Sequence, residues 1–165
     1  VLSTLHTNNA AGTFPRLLDL GVNPKVVSSA MNIAIAQRLV RKLCDNCKKE
    51  ILLEGETKKL FDKVLDGIVD KEYLSEVQRE KVWEPVGCPE CNSSGYKSRL
   101  NIFEAILIND KIEKAVINNP SERDIEEAAR DQGLLNLVED GFIKILKGLT
   151  SLDELRRVVD LSGVE

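Results

Sequence analysis

Four cysteines carry the clearest chemistry in these 165 residues, and they come as two pairs, Cys44-Asp-Asn-Cys47 and Cys88-Pro-Glu-Cys91. A Cys-x-x-Cys knuckle delivers two sulfurs to one ion, and two knuckles complete a tetrahedral shell with no open position for water. A closed shell of four thiolates has no Lewis-acid role to offer a substrate, so the expected ion is structural. Zinc is preferred, and iron would satisfy the same ligands. Two readings compete: a redox dithiol, which normally opens a helix, and unligated buried thiols. A secreted disulfide framework seldom pairs its cysteines so regularly with none left over, so the spacing points to a reducing, cytoplasmic setting. The 40 residues between the pairs are no obstacle, because loop closure costs only about 0.6 kcal/mol per doubling of length. Lys42, Lys48, Lys49 and Lys97 stand near the knuckles and are expected to ease the thiolate charge.

The bulk numbers restrict what surrounds this site. Apolar residues make up 42% of the chain, enough for a core without disulfides, and no run approaches the roughly 20 apolar residues of a membrane span. The net charge of −4 argues against a general nucleic-acid binder. It is unevenly spread: residues 1–50 hold seven Lys or Arg against three acids, and residues 51–165 hold sixteen against twenty-four. The basic first segment suits an anion or an acidic partner, or simply solvates a helix end. The acidic remainder and only seven aromatics weigh against a zinc ribbon that reads nucleic acid.

The elements that must position the cysteines follow from pattern. Residues 1–6 alternate and read as the tail of a β-strand; Thr7, Asn8 and Asn9 break it and cap a helix over 10–20, closed by Gly21. Asn23-Pro24 opens a second helix expected to run to about Leu43, with the apolar stretch Ala30–Ala36 deeply buried and Arg38, Arg41 and Lys42 at its C-terminal end. Within 48–87, Leu60, Phe61, Val64, Leu65 and Ile68 mark an amphipathic helix, and Tyr73, Leu74 and Val77 suggest another. Residues 92–95 are a turn and 100–108 a strand. Helices follow from Asp110 to Ile117, from a Ser121 cap to Gly133, along Leu135–Ile145 despite Gly141, and from a Ser151/Glu154 capping box to the end.

His6 is the only histidine, at the presumed carboxyl end of a strand, where open α/β sheets bind ligands. From the residues alone it either senses a bound phosphate or is a satisfied structural group. The wider string is more telling. Val1-Leu-Ser-Thr-Leu-His-Thr-Asn8 resembles the His box of the secretion and pilus-assembly ATPases, the hexameric motors of type II secretion and type IV pilus extension. The likeness continues at Arg16-Leu17, Asp19 and Gly21. It is strong at Ala36-Gln-Arg-Leu-Val-Arg-Lys-Leu-Cys44 and Cys47, then at Gly87-Cys-Pro-Glu-Cys91, Gly95-Tyr96, Arg99 and Ile102-Phe-Glu104. It closes at Gly148-Leu-Thr-Ser-Leu-Asp-Glu-Leu155. Nearly the whole chain apart from 48–87 is covered, and the four cysteines suit the assembly or secretion branch.

The resemblance implies a mixed α/β, predominantly helical fold: the C-terminal portion of a RecA-like ATPase domain with a zinc-binding insertion and a C-terminal helical bundle. Residues 1–43 would be the remnant of the ATPase core, 44–98 the tetracysteine insertion, and 99–165 a strand plus helical subdomain. By the same likeness His6 lies near the γ-phosphate, in the catalytic machinery, and Arg99 contacts the nucleotide or its pocket. No Gly-x-x-x-x-Gly-Lys-Ser/Thr occurs, so the phosphate loop, with ATP and Mg²⁺, is expected upstream in a longer parent. That parent would be a homo-hexamer, cytoplasmic and peripheral to the inner membrane, working with membrane-platform proteins and with no nucleic acid. The chain alone would not turn over ATP. From a different class, an autonomous zinc-stapled adaptor for protein partners stays open; a phosphate-loop motif upstream of Val1 would decide between them.

Overall fold

The computed structural model describes residues 1–164. In chain order it contains α1 (Thr13–Asp19), α2 (Pro24–Ala30), β1 (Ile33–Leu43), β2 (Lys49–Leu52), α3 (Gly55–Gly67) and β3 (Lys81–Glu84). There follow β4 (Tyr96–Leu107), α4 (Asp110–Asn118), α5 (Glu122–Ala129), α6 (Leu137–Leu146) and α7 (Leu152–Val158). Short 3₁₀ turns stand at Lys71–Leu74, Pro89–Cys91 and Arg130–Gln132. The fold is mixed α/β, as expected. β1 pairs with β4, and β2 with β3.

The chain forms two compact units, residues 1–37 with 103–134 and residues 38–102 with 135–164. In the first, Ala10, Ala11, Phe14, Val27, Ala34, Ile106, Ile112, Val116 and Ile125 make one buried cluster. Two alanines at the head of α1 leave room for close approach, and the buried Glu104 carboxylate accepts the Ala10 N–H at 2.7 Å. Asn9 folds its side chain over the start of α1, accepting from Gly12 N–H at 2.9 Å. α4 and α5 begin at Asn109 and Ser121, whose side chains accept backbone N–H groups of the first turn. Such caps are worth about 1 kcal/mol each.

The second unit is organised by α3 and α6. Phe61 and Phe142 meet at 4.6 Å between ring centroids, tilted by 59°. Val64, Leu65 and Ile68 of the α3 region, and Ile145, Leu146 and Leu155 of α6 and α7, are buried as well. Gly141 lets α6 pass close to α7: a Cβ there would fall 2.5 Å from a Leu155 methyl, and that side chain would have to shift. β2 and β3 are antiparallel, with Lys49 opposite Glu84 and Leu52 opposite Lys81. Neighbouring Glu50 and Lys81 are bridged at 2.7 Å.

Three sequence expectations are corrected. Residues 1–6 form no strand among the described residues; Val1, Leu2 and His6 are exposed. A strand persists only where a neighbour takes up its N–H and C=O groups, and no described strand pairs with this segment. The second helix stops at Ala30 rather than Leu43, and Ile33–Leu43 is a strand. A short apolar run does not distinguish buried helix from strand by period, and the decisive term is pairing with β4, more than fifty residues away in sequence. Ala34 and Val40 turn inward while Ile33, Ile35 and Leu39 do not, which is strand alternation. Arg38, Arg41 and Lys42 therefore sit on an extended strand, with no helix dipole beneath them. Finally, around Tyr73 there is only a single 3₁₀ turn, and the β2–β3 ribbon that flanks α3 was not expected at all.

Candidate metal centre

The two knuckles are delivered by different strand ends. Cys44 and Cys47 follow β1, where the N–H groups of Cys47 and Lys48 both turn back on the Cys44 carbonyl at 3.2 and 3.0 Å. Cys88 caps, and Cys91 ends, a 3₁₀ turn that precedes β4. The Cys44 N–H donates to the Gly95 carbonyl at 2.9 Å, tying the knuckles together through backbone.

All four Sγ atoms lie within 4.8 Å of one another. Cys44 and Cys88 are 3.9 Å apart, Cys47 and Cys91 3.8 Å, and Cys88 and Cys91 3.7 Å. A disulfide would need about 2.05 Å, so the thiols are unjoined. A regular tetrahedron of sulfurs around zinc at about 2.3 Å has edges of about 3.8 Å. The cluster thus fits a four-thiolate ion in size and in donor chemistry. Bound there, zinc would cross-link the two strand ends and supply no reactive position.

The surrounding backbone is arranged for thiolates. Gly87 N–H points at Cys47 Sγ (3.3 Å), while Cys88 N–H and Gly95 N–H point at Cys91 Sγ (both 3.2 Å). Burial opposes charge on Cys91, but those N–H donors outweigh it and lower its thiol. Burial and the adjoining Cys91 sulfur raise Cys88 instead. Gly95 has φ +76°, and a Cβ on it would fall 2.4 Å from Pro85 Cβ; Gly87, at φ +108°, would meet the Ser93 carbonyl at 2.7 Å. Only glycine permits these close passes. Nearby lysines are otherwise engaged than expected: Asp45 takes both Lys48 and Lys42 at 2.9 Å, which holds its carboxyl down at about 2. Lys97 pairs with Glu90 at 3.4 Å.

Of the remaining candidates, His6 is exposed in the first unit on a segment without regular structure. Arg99 is exposed on β4 in the second unit, in a surface hollow with Arg41, Ser94, Tyr96 and Ser98. What sequence reasoning missed is the arrangement beside it. Glu154, fully buried, receives Arg41 N–H at 2.9 Å, Arg41 Nε at 2.8 Å and Arg157 Nη2 at 2.7 Å. The Arg41 guanidinium lies 4.1 Å above the Tyr96 ring, and the Tyr96 hydroxyl meets Ser151 Oγ at 2.7 Å. Ser151 does cap α7 through the Glu154 N–H at 3.3 Å, but the Glu154 carboxylate is spent on arginines rather than on the cap. A glutamate three residues after a serine carries no local sign of that diversion.

Comparison with known proteins adds the decisive observation: residues 1–157 match the model of the family described as Type II/IV secretion system protein. The chain belongs to this family. It is 37% identical over 155 residues to the type IV pilus assembly ATPase PilB of Thermus thermophilus, covering 94% of this chain and 16% of that protein. It is also 37% identical over 158 residues to the type II secretion system ATPase E of Vibrio cholerae, covering 96% of this chain and 29% of the relative. Type II secretion system protein HxcR of Pseudomonas aeruginosa is similar at 37% over 96% of this chain, 28% of its own length. The chain therefore spans less than a third of these secretion-family relatives. Among the described residues no helix is long and apolar enough to cross a membrane.

Proposed function

We propose that this chain is the zinc-stapled C-terminal region of a hexameric ATPase that powers type II secretion or type IV pilus assembly. The observation that carries the reading is the four-sulfur cluster, sized for one tetrahedral ion, within a chain matched to the secretion family over residues 1–157. Zinc is the ion, and its work is mechanical: it locks the residues around 44–98 into an arm on the motor, between an ATPase remnant at 1–43 and the strand and helices of 99–165.

In the complete motor His6 stands near the γ-phosphate and links its loss to domain movement, and Arg99 reaches the nucleotide pocket. ATP and Mg²⁺ are held by parts of the parent outside this sequence, which contains no phosphate-loop motif. The motor works in the cytoplasm at the face of the inner membrane, against platform proteins of a secretion or pilus machine. Steady-state ATP turnover of the complete parent protein tests this. His6→Ala is expected to lower kcat at least roughly tenfold while zinc content stays at one per chain. Unchanged turnover with His6→Ala contradicts the role given to His6.

A further inference from the structure

A groove in the second unit is left open by the elements that build it. Leu53, Phe61 and Val82 form its buried floor, and Leu52, Trp83 and Leu152 line it nearer the surface. It holds about 520 Å³ and follows β3 from Val82 to Pro85, about 10 Å of strand at 3.3 Å per residue. Leu52 is 61% exposed there. Trp83, the only tryptophan of the chain, is half-buried, and its indole N–H has no acceptor among the described residues. An aromatic ring with a polar handle beside an open apolar floor is a frequent anchor of protein interfaces.

The rim of the groove is acidic. Glu54, Glu84 and Asp153 line it with a single cation, Arg156, which bridges Asp153 at 3.9 Å. Glu54 and Glu84 are exposed, and neither has an ion-pair partner among the described residues, although Lys49 stands opposite Glu84 across the ribbon. An apolar floor alone would not say what covers it. Two unanswered carboxylates beside it do, because they repel an acidic segment and attract Lys or Arg, and loss of water from the groove strengthens both effects. A segment with one or two apolar side chains flanked by Lys or Arg satisfies floor and rim together.

We infer that this groove is a docking site for a protein partner that presents a short apolar segment flanked by Lys or Arg. The inference goes beyond the motor reading and does not rest on it: His6, Arg99 and the four cysteines are all absent from the groove lining.

The test uses the zinc-loaded 165-residue chain and a phage-displayed library of random dodecapeptides. Enriched sequences should share apolar residues flanked by Lys or Arg, and a tryptophan-free consensus peptide should shift Trp83 emission on titration. Glu54→Lys combined with Glu84→Lys should weaken that peptide roughly tenfold, and Leu52→Ser should weaken it as well. Glu72→Lys combined with Glu127→Lys changes the net charge equally at exposed positions off the groove, and should leave binding within about twofold. Circular dichroism and zinc content equal to the parent's certify each variant as folded. No enriched sequence, an enriched set without basic residues, no shift of Trp83 emission, or equal weakening by the two charge-reversed pairs overturns the docking site. So does Trp83 emission that changes with protein concentration alone while the chain sediments as a dimer, a result that gives the groove to a second copy.

Discussion

Glu154 is sealed from solvent and accepts both the backbone N–H and the guanidinium of Arg41, a residue 113 positions earlier in the chain. This one carboxylate ties the end of β1 to the first turn of α7, with Arg157 closing it from the other side. Thr150 adds a parallel tie, its hydroxyl donating to the Arg41 carbonyl at 2.9 Å.

Removing that carboxylate takes the partner from two guanidiniums, Arg41 and Arg157, and from the Arg41 backbone N–H. Both guanidiniums reach solvent, with side-chain exposures of 44% and 57%, so the loss falls below that of a fully buried pair. Glu154→Ala is expected to lower the urea midpoint by an amount equivalent to about 2–3 kcal/mol, with the slope unchanged. A loss below 1 kcal/mol would show that the pair contributes little.

The same carboxylate sets an acid limit. Burial alone would raise its pKa, but the hydrogen bonds from Arg157 and Arg41 prevail and bring it from 4.5 to about 2. A carboxyl held lower in the folded state stabilises the fold fully above its unfolded value and loses that contribution as pH falls toward its folded value. The window is therefore pH 4.5 to about 2, and the contribution about 3 kcal/mol. Measured against Glu154→Gln, which loses metal at low pH just as the parent does, the stability difference should be constant above pH 5 and shrink toward pH 2.

Gly95→Ala tests the tight pass over Pro85. With φ +76° and a Cβ 2.4 Å from Pro85 Cβ, the turn must open, and the N–H donated to Cys91 Sγ moves with it. The expected cost is about 2 kcal/mol or more, together with faster zinc loss to a chelator. Gly163→Ala, where an added Cβ meets nothing, serves as the neutral control. Equal chelation rates for the two would contradict the role given to Gly95.

Cys91→Ser removes a sulfur that accepts two N–H groups. Structural zinc binding is coupled to folding, so this variant should melt lower than the parent with zinc present and at nearly the same temperature once both are stripped. Equal melting with zinc would mean that Cys91 is no ligand.

How much of this was legible in sequence depends on the range of the interaction. The cysteine spacing, the Phe61/Val64/Leu65 stripe of α3 and the Ser121 and Ser151 caps are encoded within a few residues, and the structure bears out those elements. β1 departs from the expected helix because Ala30–Ala36, broken only by Asn32, is apolar nearly all round and its strand state is chosen by β4. The β2–β3 ribbon escaped notice for a similar reason: each strand is four residues long and its partner lies across α3. Arg41 and Glu154 each look like ordinary surface charges until folding makes them neighbours. The glycine N–H donors to Cys47 and Cys91 were equally invisible, although Gly87 and Gly95, each just outside the second knuckle, were a readable hint of tight turns.

The most direct test is the zinc content of the freshly purified, reduced chain, measured by elemental analysis alongside circular dichroism before and after chelation. The account predicts one zinc per chain and loss of ordered structure around residues 44–98 when it is withdrawn. A chain that is metal-free as isolated and just as stable as after zinc is added would contradict it.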